Sequence, residues 1–178
     1  MYMKRILYAL IPLLCLACQP GADKQNTAIL LPPKEAAVYF SDSTKKDTFR
    51  LTFNGKTLAS GTLVFSISKA DGREIYRTSI AAKDLFANYD SELDLSKEKN
   101  QAAFLTEEVN RFFDEENFLI PAVTENEQAD ANVPDKAFYE ELKKSRLNGF
   151  KYRLGKETNV YIGWSAAAGG VRIYYKCC

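Results

Sequence analysis

The chain has 178 residues, with 24 lysines and arginines against 23 aspartates and glutamates, and no histidine. A formal net charge of +1 gives no electrostatic case for nucleic-acid binding, which shows as a basic excess. Without histidine the usual general base at neutral pH and the commonest metal ligand are missing, so Ser-His-Asp and Cys-His catalysis, HExxH zinc sites and zinc fingers are excluded.

In chain order, Met1-Tyr2-Met3-Lys4-Arg5 sets two positive charges ahead of an apolar run from Ile6 to Ala17, interrupted only by Tyr8, Pro12 and Cys15. The run fits a secretory h-region, and at ~1.5 Å per residue it rises ~18 Å as a helix, short of a ~30 Å hydrocarbon core. Residues 1–17 are therefore predicted to be a signal peptide. Leu14-Cys15-Leu16-Ala17-Cys18 resembles the lipobox of bacterial lipoproteins, in which a small residue precedes a cysteine that becomes lipidated. Leu16 and Cys15 depart from that motif's usual residues. The resemblance implies cleavage before Cys18 and palmitate or related acyl chains on its sulfur; the alternative is an ordinary cleaved signal with Cys18 near the junction by chance. Cleavage there removes Lys4 and Arg5 and no acidic residue, leaving 22 basic against 23 acidic side chains. Each buried CH₂ of an acyl chain contributes about 0.8 kcal/mol, and two chains hold stably where one does not.

Residues 18–46 are expected to be the lipidated cysteine and a tether. Gln19 to Thr27 is polar and broken by Pro20 and Gly21. Ile29-Leu30-Leu31 and Ala36-Ala37-Val38-Tyr39-Phe40 are apolar enough to dock on the body, so the tether is expected to be partly docked. A single domain then spans 47–178.

Phe49, Leu51 and Phe53 alternate with polar residues at the period of a half-buried strand. Asn54-Gly55 suits a tight hairpin turn. A second strand, about Thr57 to Ser68, carries Leu63, Phe65 and Ile67 on one face, with Gly61 marking a bulge or bend. After Ala70-Asp71-Gly72 a third strand, Glu74 to Ile80, completes a three-stranded meander. Ala102, Leu105, Val109, Phe112 and Phe113 have helical spacing, with Ser96 or Thr106 as the cap. Phe118-Leu119-Ile120-Pro121 is either a strand or a packed loop, and Thr124 to Asn132 a polar surface loop. Pro134 and Asp135 open a helix that turns Phe138, Leu142 and Ser145 inward and stops at Asn148-Gly149. Phe150, Tyr152 and Leu154 alternate, and 160–164 and 171–175 form a closing hairpin. The fold class is α+β: an antiparallel sheet, made of the N-terminal three-stranded meander and the C-terminal hairpin, with two or three helices packed on one face.

Candidate chemistry is sparse. If Cys18 is lipidated and Cys15 discarded, Cys177 and Cys178 are the remaining thiols, in an envelope where disulfides persist. Adjacent Cα atoms lie ~3.8 Å apart, below the usual ~4.4–6.8 Å, so a vicinal bridge is strained. A bridge within the pair, two thiols at the terminus and bridges between chains all remain open. Two thiolates cannot fill a tetrahedral metal shell alone. Asp90, Glu92 and Asp94 have the first spacings of a calcium loop, but Leu95 and Gln101 stand where glycine and glutamate belong. No metal and no cofactor is expected. Gly163-Trp164-Ser165-Ala166-Ala167 only faintly resembles a nucleophile elbow. Ser-x-x-Lys occurs at Ser43/Lys46, Ser66/Lys69 and Ser96/Lys99 without partner motifs, so no catalytic residue is assigned.

The binding candidate is the C-terminal hairpin, where Tyr161, Trp164, Tyr174 and Tyr175 sit on neighbouring strands beside the small-residue loop 166–170. Such rings anchor protein contacts and stack on sugars; the alternative assigns two of the four to the core. The leader and the order of segments resemble small envelope lipoproteins of Gram-negative bacteria, of the Bacteroidetes type, and the body matches no family of known activity. That resemblance implies a domain moored to the membrane through its lipid, with the outer membrane favoured over the inner because Gln19, not aspartate, follows the lipidated position. The expected function is a non-catalytic binding or assembly module for another envelope protein or a glycan, with no nucleic-acid partner. The alternatives are an envelope hydrolase using carboxylates or a Ser/Lys pair, and a purely structural lipoprotein.

Overall fold

The computed structural model describes residues 31–87, 93–155 and 158–177. The signal peptide, Cys18, Asp90, Glu92 and Cys178 lie outside the described residues. The first sheet is antiparallel with strands in sequence order: β1 (Lys34–Tyr39), β2 (Lys46–Asn54), β3 (Thr62–Ser68) and β4 (Glu74–Ala81). After α1 (Ala82–Ala87) and α2 (Glu98–Arg111), a second antiparallel sheet begins with β5 (Phe118–Leu119). It continues, after α3 (Lys136–Ser145), through β6 (Gly149–Arg153), β7 (Asn159–Ser165) and β8 (Gly170–Cys177).

The α+β class is as expected, but the sheets are two of four strands each rather than a meander plus a hairpin. On the first sheet the extra strand is β1, the tether segment expected to dock. It pairs along its whole length with β2, Ala36 opposite Phe49, and the buried Asp47 carboxylate closes their connection by accepting from the Ser41 backbone N–H at 2.6 Å and its hydroxyl at 3.1 Å. Leu31 is also buried. On the second sheet β6 lines up with the closing hairpin, Phe150 opposite Ile162, and Phe118-Leu119 adds the edge.

The two sheets face each other across one core. Phe49, Leu51, Leu63, Phe65 and Ile67 point in from the first, and Phe150, Tyr152, Val160, Ile162 and Trp164 from the second. Tyr76 and Tyr152 join the sheets by a hydroxyl–hydroxyl hydrogen bond of 2.6 Å. Phe104, Leu105 and Val109 of α2, followed by Phe112 and Phe113, fill the same core. α3 lies instead on the outer face of the second sheet, so the helices do not share one face. Leu142 sits against Gly163, where an added Cβ would come within 2.9 Å of its methyls.

Local corrections have local causes. Asn54-Gly55 does not make a two-residue turn, because Asn54 pairs with Thr62 and the connection runs over 55–61. That longer loop buries Leu58, which a tight turn would leave in water. Gly61 ends it rather than bulging a strand, because the Phe53 ring lies where its Cβ would be. Neither Ser96 nor Thr106 caps α2, which starts after Lys97 without a side-chain cap; the Ser96 hydroxyl donates to Asp94 at 2.5 Å. Asp135 caps α3 as expected, accepting from the Phe138 N–H at 3.1 Å. That helix ends at Arg146 in the left-handed conformation (φ 54°) rather than at Asn148-Gly149, and Ser145 is exposed while Tyr139 is buried.

Candidate functional site

Strand alternation separates the four candidate aromatics. Trp164 points into the core, 9% exposed, with Lys69 Nζ 4.0 Å from its ring centroid. It is not part of an exposed platform. Its emission, the chain's only tryptophan signal, is expected to be blue-shifted and protected from acrylamide. Exposed-type emission with full quenching would contradict that placement.

Tyr161, Tyr174 and Tyr175 lie together on the outer face. The register shifts between Tyr161 and Ile162, so that Tyr161 opposes Tyr175 while Ile162 opposes Ile173. The bulge brings Tyr174 and Tyr175 to the same side, with Tyr161 ring centroids 6.1 Å from Tyr174 and 5.2 Å from Tyr175. Tyr139 of α3 adds a fourth ring, 6.3 Å from Tyr174. Tyr174 is fixed by a hydroxyl that donates to the Ala122 carbonyl at 3.0 Å.

These rings line a groove of about 480 Å³, walled on the far side by the 118–130 segment. Ile120 is 75% exposed on its rim. The charged residues lining the groove are Glu127 and Asp130, with no lysine or arginine among its walls. Each carboxylate engages a tyrosine. Glu127 Oε2 accepts from the Tyr139 hydroxyl at 3.3 Å, and Asp130 Oδ2 from the Tyr175 hydroxyl at 2.9 Å. Asp130 is held below the usual carboxylate range by the Asn132 backbone N–H and then by Tyr175. The Tyr139 phenol is pushed up to about 12 by burial and then by the negative charge of Glu127. Burial, with Glu127 second, raises Tyr174 as well. At Tyr175 the bond from Asn132 pulls the phenol down, and the bond to Asp130 together with burial more than offsets it.

The sequence presents Thr124 to Asn132 as a polar surface loop and singles out none of Glu127, Asp130 and Tyr139 as site residues. A local signal existed for Tyr139, adjacent to Phe138 on an amphipathic helix, but none for the two carboxylates: Glu127 meets α3 across 12 positions and Asp130 meets β8 across 45.

The other sequence candidates have structural positions. Ser165 is fully buried; its hydroxyl donates to Glu141 Oε2 at 2.9 Å and accepts the Ala168 N–H at 3.0 Å. Glu141 Oε1 takes the N–H groups of Ala166 at 2.6 Å and Ala167 at 3.2 Å, so this pair ties the β7–β8 turn to α3. Glu141→Ala is expected to cost about 1–2 kcal/mol in urea unfolding, at and under the low end of the ~1.5–3 kcal/mol range for bonds to a charged group because the site is partly solvated. No loss would show that the turn holds without it. Lys69 is occupied on Trp164 and Ser96 on Asp94. Cys177 is half-buried opposite Asn159, near the end of β8. Among the described residues no group of three or more carboxylates or thiols is placed to hold a metal ion, and no helix is long and apolar enough to cross a membrane. Comparison with protein-family models, with curated proteins and with solved structures finds no match to this chain.

Proposed function

We propose that this protein is a cell-envelope binding module, moored by acyl chains on Cys18, that captures its partner in the tyrosine groove. The observation that carries the reading is the convergence of Tyr139, Tyr161, Tyr174 and Tyr175 with Glu127 and Asp130 around one concave opening. Rigid aromatic walls with a few fixed polar groups are the usual make-up of a recognition site. The serine nearest in pattern to a nucleophile is enclosed in a turn-holding hydrogen-bond set, which favours binding over acyl transfer. The Ala17-Cys18 junction behind a charged, short apolar leader supports the mooring, and Gln19 in place of an aspartate after the lipidated position favours the outer membrane over the inner. The partner is another envelope protein or a glycan.

Photo-crosslinking in intact cells tests this. A benzophenone side chain at Ile120, on the groove rim, is expected to give a discrete adduct on irradiation. The same group at Lys83, an exposed residue of α1, is expected to give none. Equal labelling from both positions, or none from 120, would defeat the reading.

A further inference from the structure

Resting on the reading of this groove as a binding site, we infer that its occupant is an extended basic peptide segment, bound through lysine or arginine side chains. Three observations select that chemistry.

The first is charge. The groove's charged walls are Glu127 and Asp130 alone; Lys143, which lines the adjoining depression, reaches their border with its ammonium 5.8 Å from the Tyr139 ring centroid, but there it donates to the Glu127 backbone carbonyl at 2.6 Å and to Glu140 at 3.3 Å rather than to either groove carboxylate. The second is hydrogen-bond polarity. The hydroxyls of Tyr139, Tyr174 and Tyr175 have their protons committed, to Glu127, Ala122 O and Asp130. Glu127 also accepts from the Thr124 hydroxyl at 2.8 Å, Asp130 from the Asn132 N–H at 2.8 Å and the Tyr175 hydroxyl from the Asn132 amide at 3.2 Å; what these groups offer beyond those bonds is further lone pairs, so the matching ligand is rich in donors. An ammonium or guanidinium carries only donors, and it is attracted to aromatic faces as well. An anionic glycan or a phosphate would meet two carboxylates and few donors. Burial raises the Tyr139 and Tyr174 phenols first, and the negative charge of Glu127 adds to it in the same direction.

The third observation is shape. The groove is open, and its wall residues Ile120, Pro121 and Thr124 also line a second depression of about 380 Å³ on the other side of the Ile120 ridge. There Glu125 is ion-paired with Arg146. Two connected troughs divided by an exposed aliphatic ridge fit a chain laid across them, with an alkyl stem on Ile120 and its charged end between the tyrosines.

The test is fluorescence anisotropy on the full-length protein in detergent, using a labelled hexapeptide of alternating lysine and alanine. The comparison arms are the same peptide with glutamate for lysine and an unlabelled neutral N-acetylglucosamine tetramer as competitor. The lysine peptide is expected to bind, the glutamate peptide not, and affinity to fall as salt screens the pair. Glu127→Gln with Asp130→Asn is expected to weaken the lysine peptide about tenfold or more. Glu98→Gln, on the exposed start of α2, is expected to leave binding unchanged. Both variants are to be compared with the parent by near-ultraviolet circular dichroism, so that loss of fold is not counted as loss of binding. Equal affinity in the double variant, equal binding of the glutamate peptide, or no binding of the lysine peptide would overturn the inference. Displacement of a groove crosslink by the saccharide alone would also overturn it while leaving the groove as the binding site, and the loss of both the peptide signal and the position-120 crosslink would remove the two together.

Discussion

Replacing Phe150 by alanine is expected to destabilise the protein by about 3–5 kcal/mol, the range for removing a buried phenylalanine. The ring is fully buried and is the joint between the sheets. Its centroid lies 5.2 Å from both Phe49 and Phe65 on the facing sheet. It also lies 4.9 Å from Phe118, 5.7 Å from Phe112 and 5.9 Å from Phe113. Alanine would leave a cavity bounded by parts of both sheets and the end of α2, none of which can move in without parting from the others. A domain of this size carries only about 5–15 kcal/mol of net stability, so the loss is a large share of the total. Urea unfolding followed by circular dichroism measures it. A cost under about 1 kcal/mol would show that the two sheets do not share this core.

The second large effect falls on the outer layer. Leu142→Ala is expected to cost about 2–5 kcal/mol, as for other buried leucines. Leu142 is fully buried, and it fills the close approach between α3 and β7 that Gly163 allows. The outer cluster has few buried members, Val123, Val133, Phe138, Tyr139 and Tyr174 among them, so little else can compensate. Because α3 carries Tyr139, the same change is expected to loosen the groove, with partner crosslinking from position 120 falling alongside stability. Full crosslinking in a variant that has lost several kcal/mol would separate the groove from α3.

Much of the fold was legible because it is written in local period. Phe49-x-Leu51 and Leu63-x-Phe65-x-Ile67 alternate cleanly, and all five side chains are buried. Asp135 announced α3 by the chemistry of its cap. Pairing between distant segments was not legible. β1 reads as a weak alanine-rich stretch, and it becomes a strand because the edge of β2 is open beside it. Phe118-Leu119 is too short to signal a strand and is one only because β6 offers a partner. The division into two sheets depends on which strands exchange hydrogen bonds, which no window of sequence states.

The site divides in the same way. Tyrosines 161, 174 and 175 stood out by composition. Their separation from Trp164 follows from strand parity, since residues 161 and 164 fall on opposite faces. That both Tyr174 and Tyr175 face outward depends on a bulge at Tyr161/Ile162, a register change without a glycine or proline to mark it. Glu127 and Asp130 looked like solvated loop carboxylates and are largely exposed. Their role comes from the hydroxyls they meet, across 12 positions to Tyr139 and 45 to Tyr175.

Acylation of the Cys18 sulfur is what would hold the tyrosine groove at a membrane surface. The most direct measurement is metabolic labelling with an alkyne analogue of palmitate, comparing the parent chain with Cys18→Ala. Label is expected on the parent and none on the variant. Equal incorporation in both, or none in either, would contradict acylation there.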